Sequence, residues 1–143
     1  MPLRFLVTTL SLLLLAGCGG GNSRESFVSD AVEICKETET RLRELGTPES
    51  FAQTQLFARQ ANDAVGDQLR DLRELTSPQE LEDAFASYLG TLELRRRQLE
   101  LLAEAADANR MDLIQEAGSE LDVLTAKART QARRAGLAEC ESS

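Results

Sequence analysis

Apolar residues fall along this chain first in one run near the N-terminus and then in four stripes spaced by threes and fours, the spacing of one helix face. From Phe27 to Leu45 the stripe is Val28, Ala31, Cys35, Thr38, Leu42 and Leu45. Gly46 ends it, because glycine tolerates the left-handed conformation at the residue after a helix. Thr47 is the expected cap of a second helix with Pro48 at its first position, where the missing donor costs nothing. Its stripe is Phe51, Ala58, Ala61, Val65, Leu69, Leu72 and Leu75. Ser77-Pro78-Gln79-Glu80 repeats the start signal, since Glu80 stands where it can close a capping box on Ser77. The third stripe is Leu81, Phe85, Tyr88 or Leu89, Leu92, Leu99, Leu102 and Ala106. Residues 107–109 form the weakest boundary, with Asn109 a candidate cap and one continuous helix as the alternative. The fourth stripe is Ile114, Ala117, Leu121, Leu124, Ala128 and Ala135, and Gly136-Leu137 predicts a Schellman ending.

No segment alternates with period two for the length of a strand, so the chain is all-α. Short connections place successive helices antiparallel, which predicts an up-down-up-down four-helix bundle over residues 27–143. The alternative is a long helical hairpin, or coiled coil, completed by dimerisation.

The N-terminal run differs in kind from the stripes. Arg4 supplies a positive charge and the thirteen residues from Phe5 to Gly17 are uncharged, short of the ~20 a helix needs to cross a hydrocarbon core. Residues 1–17 therefore read as a signal peptide. Leu15-Ala16-Gly17-Cys18 resembles the lipobox of bacterial lipoproteins. That resemblance implies diacylglycerol on the Cys18 sulfur and cleavage between Gly17 and Cys18. Two acyl chains anchor stably where one is marginal.

Arg4 leaves with the signal, so the sixteen Lys and Arg of the whole chain become fifteen against 24 Asp and Glu, a formal charge of −9 rather than −8. This acidity argues against nucleic acid and anionic lipid as general partners. Residues 18–26 read as the anchor and a flexible Gly/Ser tether, whose eight residues from Gly19 to Ser26 reach less than about 30 Å.

With Cys18 assigned to lipid, Cys35 and Cys140 remain, and an even pair in an exported domain reads as a disulfide. In the expected bundle, helix four returns to the end where helix one starts, so the tail can reach Cys35. Closing a loop of about 100 residues is worth ~4.7 kcal/mol by chain entropy. The alternative, a redox pair or thiol metal site, lacks a Cys-x-x-Cys motif and a nearby third ligand.

Histidine is absent, which removes the usual general base, serine triads and the Glu-x-x-His pair of di-iron bundles. No phosphate-cradling glycine loop occurs, because Gly19–Gly21 belongs to the tether. No cofactor and no metal are expected. Glu37, Glu39, Glu100, Glu104, Glu116 and Glu120 fall mainly off the stripes, as a solvated face would. Arg95-Arg96-Arg97 is the one dense basic run, and the stripe forces one of these arginines close to the core. Glu93 and Glu100 stand four residues from Arg97 and Arg96, which predicts ion pairs. The functional alternative is an anion or partner patch at Arg95, Arg96 and Arg97.

The lipobox, glycine tether, early Cys35 and closing Arg134-Ala135-Gly136-Leu137-Ala138-Glu139-Cys140 together resemble small helical lipoproteins of high-GC, actinobacterial-type genomes. The resemblance implies an envelope location and a disulfide-closed bundle, and transfers no catalytic residue. Two function classes follow. The first is a non-enzymatic, membrane-anchored extracytoplasmic protein that binds an envelope protein or cell-wall polymer through a helix face, and it requires an exposed apolar or arginine-centred patch. The second is a small-ligand carrier or carboxylate enzyme, which requires an interhelical pocket with buried acids.

Overall fold

A computed structural model describes residues 23–140. The expected signal peptide, the expected Gly17–Cys18 cleavage site and most of the expected tether lie outside the described residues. Within them are four helices, α1 (Arg24–Glu44), α2 (Phe51–Glu74), α3 (Glu82–Asp107) and α4 (Met111–Arg134), with 3₁₀ turns at Gln79–Leu81 and Ala138–Cys140. No strand occurs among the described residues. The fold is the all-α, up-down-up-down bundle, closed on a core within one chain.

Helix starts depart from expectation at every turn, because more than one residue can cap. α1 begins at Arg24, not Phe27, with Ser23 accepting the Ser26 amide, so residues 24–26 are helix and not tether. α2 begins a turn after Thr47-Pro48. Ser50 accepts the Gln53 amide at 3.2 Å, and the Gln53 side chain accepts from the Glu49 amide at 2.7 Å, a reciprocal arrangement that Thr47 does not offer. Ser77 and Glu80 form no side-chain cap: Pro78 holds extended backbone, and the turn it leads feeds α3 at Glu82.

The ends of α3 and α4 are two copies of one motif. Gly136 has φ +76°, its amide reaches the Arg133 carbonyl and the Leu137 amide the Ala132 carbonyl, the expected Schellman pattern. Asn109 repeats it at φ +54°, with its amide on the Ala106 carbonyl and the Arg110 amide on the Ala105 carbonyl. Asn109 thus terminates α3 instead of capping α4, a role asparagine fills because it tolerates left-handed backbone. The helices are separate, and neither is continuous through residues 107–109.

The predicted stripes largely point inward, with Ala31, Cys35, Val65, Leu69, Leu72, Phe85, Tyr88, Leu92, Ala128 and Ala135 in one core, joined by Phe27, Ala132 and Leu137, which the stripes did not include, while Val28 is only partly buried. Tyr88, not Leu89, takes the inward position. α3 is the central helix, packed on both α2 and α4, while α1 packs on α2 and the Ala138–Cys140 turn packs on both α1 and α4. Leu45 at the end of α1 lies beside Gln60 and Ala64, more than two turns into α2. α1 therefore covers only the half of the bundle that holds its own start, here called the base. The distal half is a three-helix cluster of Ala58, Leu102, Ala103 and Ala117 with Ile114 and Leu121 beside it.

Arg41 of α1 meets Asp67 of α2 at 2.9 Å, and Arg70 meets the other Asp67 oxygen at 2.8 Å. The Arg41 bond, with further help from Arg70, holds the Asp67 carboxyl below its ordinary pKa against a smaller opposing effect of desolvation. A depressed folded pKa contributes stability that is present above the unfolded value and lost as pH falls through the folded one. Asp67→Asn is therefore expected to cost little at neutral pH, as surface pairs do. It should also flatten the fall in stability below the ordinary carboxylate range, measured by urea unfolding across acid pH. An identical acid profile in wild type and variant would refute the coupling.

Candidate functional site

Cys35 and Cys140 form the disulfide, with Cα atoms 5.2 Å apart across a sequence separation of 105. Both are buried, and the Tyr88 hydroxyl and Gln68 amide approach the Cys35 sulfur at 3.8 and 3.6 Å. The bond ties the C-terminal turn to the middle of α1. It is a staple and not an exposed thiol pair.

The arginine run does not converge on one place. Successive residues of a helix point about 100° apart, so three in a row serve three surroundings. Arg95 fills the inward step between Leu92 and Leu99 and is buried. Burial is the main influence pulling its guanidinium below the ordinary arginine pKa, with Tyr88 opposing and Arg129 adding to the effect. Arg96 turns to α2, where its Nε donates to Asn62 at 3.1 Å and its guanidinium lies over Gly66, close enough that a Cβ there would meet Nε at 3.2 Å. Arg97 is exposed. The expected Glu93–Arg97 and Glu100–Arg96 pairs do not form: Glu93 binds Arg73 of α2 at 3.2 Å and Glu100 accepts from Asn62. Both acids are drawn across the α2–α3 seam, a preference that spacing along one helix cannot reveal.

Buried polar side chains among the described residues are Thr38, Gln68, Thr91 and Arg95, with no carboxylate. Thr91 donates across to Gln131 of α4. The six glutamates of the sequence analysis are all outside the core. Among the described residues no His, Cys, Asp or Glu group is placed to hold a metal ion, and no helix is long and apolar enough to cross a membrane.

An open groove of about 900 Å³ lies between the distal halves of α3 and α4. Leu101 and Ala105 of α3, Ala108 just past its end, and Leu113, Ala117 and Val123 of α4 form its apolar floor. Leu101, Leu113 and Val123 are 52%, 40% and 59% exposed, unusual for large side chains clustered on one face. Leu94, 41% exposed, extends the α3 stripe about two turns from Leu101 towards the base. Glu104, Glu116 and Glu120 form the rim with Gln98 and Ser119, and no Lys or Arg lines the groove.

Sequence reasoning missed this surface. On α3, Leu94, Gln98, Leu101, Ala105 and Ala108 repeat at four, three, four and three, a second stripe offset from the core stripe. That doubled apolar face was the available signal, and it was hidden by the stronger stripe beside it.

No protein-family model, curated protein or solved structure matches the chain.

Proposed function

We propose that this protein is a lipid-anchored, extracytoplasmic, non-enzymatic adaptor that binds an envelope protein through the α3–α4 groove. The exposed Leu101, Leu113 and Val123 floor carries this reading, because a patch of that kind on a strongly acidic domain is costly unless covered. The anchor supplies the geometry. Between Cys18 and the first helical residue stand only Gly19 to Ser23, five residues that reach no more than about 18 Å. Phe27 near the start of α1 meets Phe85 near the start of α3, so the two helix starts share the base of the bundle, the end that a lipid on Cys18 would hold nearest the membrane. Leu101 lies sixteen residues further along α3, roughly 24 Å away at 1.5 Å per residue. A lipid on Cys18 thus presents the groove outward, clear of the bilayer.

The test is photo-crosslinking in the host cell with benzoylphenylalanine at Leu101 or Val123, and at exposed Glu37 of α1 as control. Discrete protein adducts from the groove positions and none from Glu37 are expected, and Cys18→Ser should release the protein from the membrane fraction and abolish the adducts. Groove positions that yield no protein adduct, or only cell-wall polymer, would overturn the adaptor reading.

A further inference from the structure

The groove also carries information about what it receives. Resting on the adaptor reading above, we propose that its occupant is a cationic amphipathic helix of the partner, with apolar side chains on the Leu101–Leu113–Val123 floor and Lys or Arg residues against Glu104, Glu116 and Glu120.

Shape argues for a helix. The two apolar stripes converge as a seam between antiparallel helices, the arrangement a third helix uses when its i, i+3, i+4 and i+7 residues enter a groove. Ala105, Ala108 and Ala117 keep the middle of the floor low, leaving space for bulky side chains from the occupant. From Gln98 to Ala108 the seam runs ten residues, about 15 Å or three turns.

Charge selects the sign. The groove lining holds Glu104, Glu116 and Glu120 and no Lys or Arg, whereas ion pairs form on other faces, at Glu39 with Arg43, Asp67 with Arg41 and Arg70, Glu93 with Arg73, Asp112 with Arg110 and Glu139 with Lys36. The three rim glutamates make no ion pair among the described residues, although Arg and Lys are plentiful. A second copy of this chain is disfavoured as the occupant, since a two-fold contact over this face would set Glu104, Glu116 and Glu120 against their own counterparts. Anionic lipid and acidic polymers are repelled for the same reason.

The probe is a synthetic leucine/lysine amphipathic helix of about five turns, roughly 18 residues, beside a leucine/glutamate twin of the same pattern. Binding to the full chain in neutral non-ionic detergent is read by fluorescence anisotropy, with empty micelles subtracted. The lysine helix should bind at least about tenfold more tightly than its twin. Glu104→Gln/Glu116→Gln/Glu120→Gln should remove about that same tenfold, three exposed pairs being lost together. Leu101→Asp should remove binding, and because each substituted side chain is exposed the variants should keep wild-type helicity. Equal binding of the two helices, or variants that bind the lysine helix as the wild type does, would overturn the proposal. So would sedimentation showing a groove-dependent dimer. Protein adducts at Leu101 in cells with equal binding of the twins would sink the cationic helix and spare the adaptor. Preference for the lysine helix without cellular adducts would sink the adaptor alone.

Discussion

Loss of the Cys35–Cys140 disulfide is expected to lower the stability of the bundle by about 4 to 5 kcal/mol and its melting temperature by on the order of 15 °C. The cross-link spans 105 positions, so its removal returns nearly the whole domain's loop entropy to the unfolded chain. Total stabilities of single domains are about 5–15 kcal/mol, which makes the bond a large share of what holds this one. The effect should also be uneven. α1 packs on α2 and on the disulfide-bound turn, while α2, α3 and α4 pack continuously through α3. Thermal melts of Cys35→Ala/Cys140→Ala against wild type measure the size, and hydrogen exchange by residue measures the distribution, with α1 amides expected to exchange first. A melting point within a few degrees of wild type would show that packing alone secures α1.

Phe27→Ala is expected to cost about 3–5 kcal/mol, and Phe27→Leu no more than about 1.5 kcal/mol. Phe27 is fully buried, its ring edge-on to Phe85 with centroids 5.0 Å apart and planes at 89°. Truncation removes the aromatic contact and opens a cavity where α1, α3 and the C-terminal turn meet. Relaxation is limited there because the disulfide fixes α1 two turns further on. Urea unfolding should show a lower midpoint with an unchanged slope. The triple variant that also lacks both cysteines should lose less than the sum of the two effects, since α1 cannot be detached twice. Strict additivity would show that Phe27 and the disulfide hold different parts of the fold.

Phe27 also marks where sequence reading stops. Placed at the helix start, it lay outside the stripe of Val28, Ala31 and Cys35, yet Ser23 caps the helix earlier and turns Phe27 inward while Val28 is half-buried. The same limit applies to Ser50 and Asn109. Several residues along each connection have capping chemistry, and the one used is set by how far the chain must travel between helix ends.

The sequence by itself determined the all-α class, most of the core stripes, the glycine at the end of α4 and the partnership of Cys35 with Cys140, because periodicity, left-handed backbone and an even pair are local or countable properties. The lipobox reading of Cys18 is an expectation from the sequence that lies outside the described residues. Tertiary structure decided the rest. It split Arg95, Arg96 and Arg97 among three surroundings, sent Glu93 and Glu100 to partners on α2, and stopped α1 halfway along the bundle. It also left Leu101, Leu113 and Val123 uncovered. Which apolar residues are buried depends on which helix lies over them, and that is fixed by packing between segments far apart in the chain.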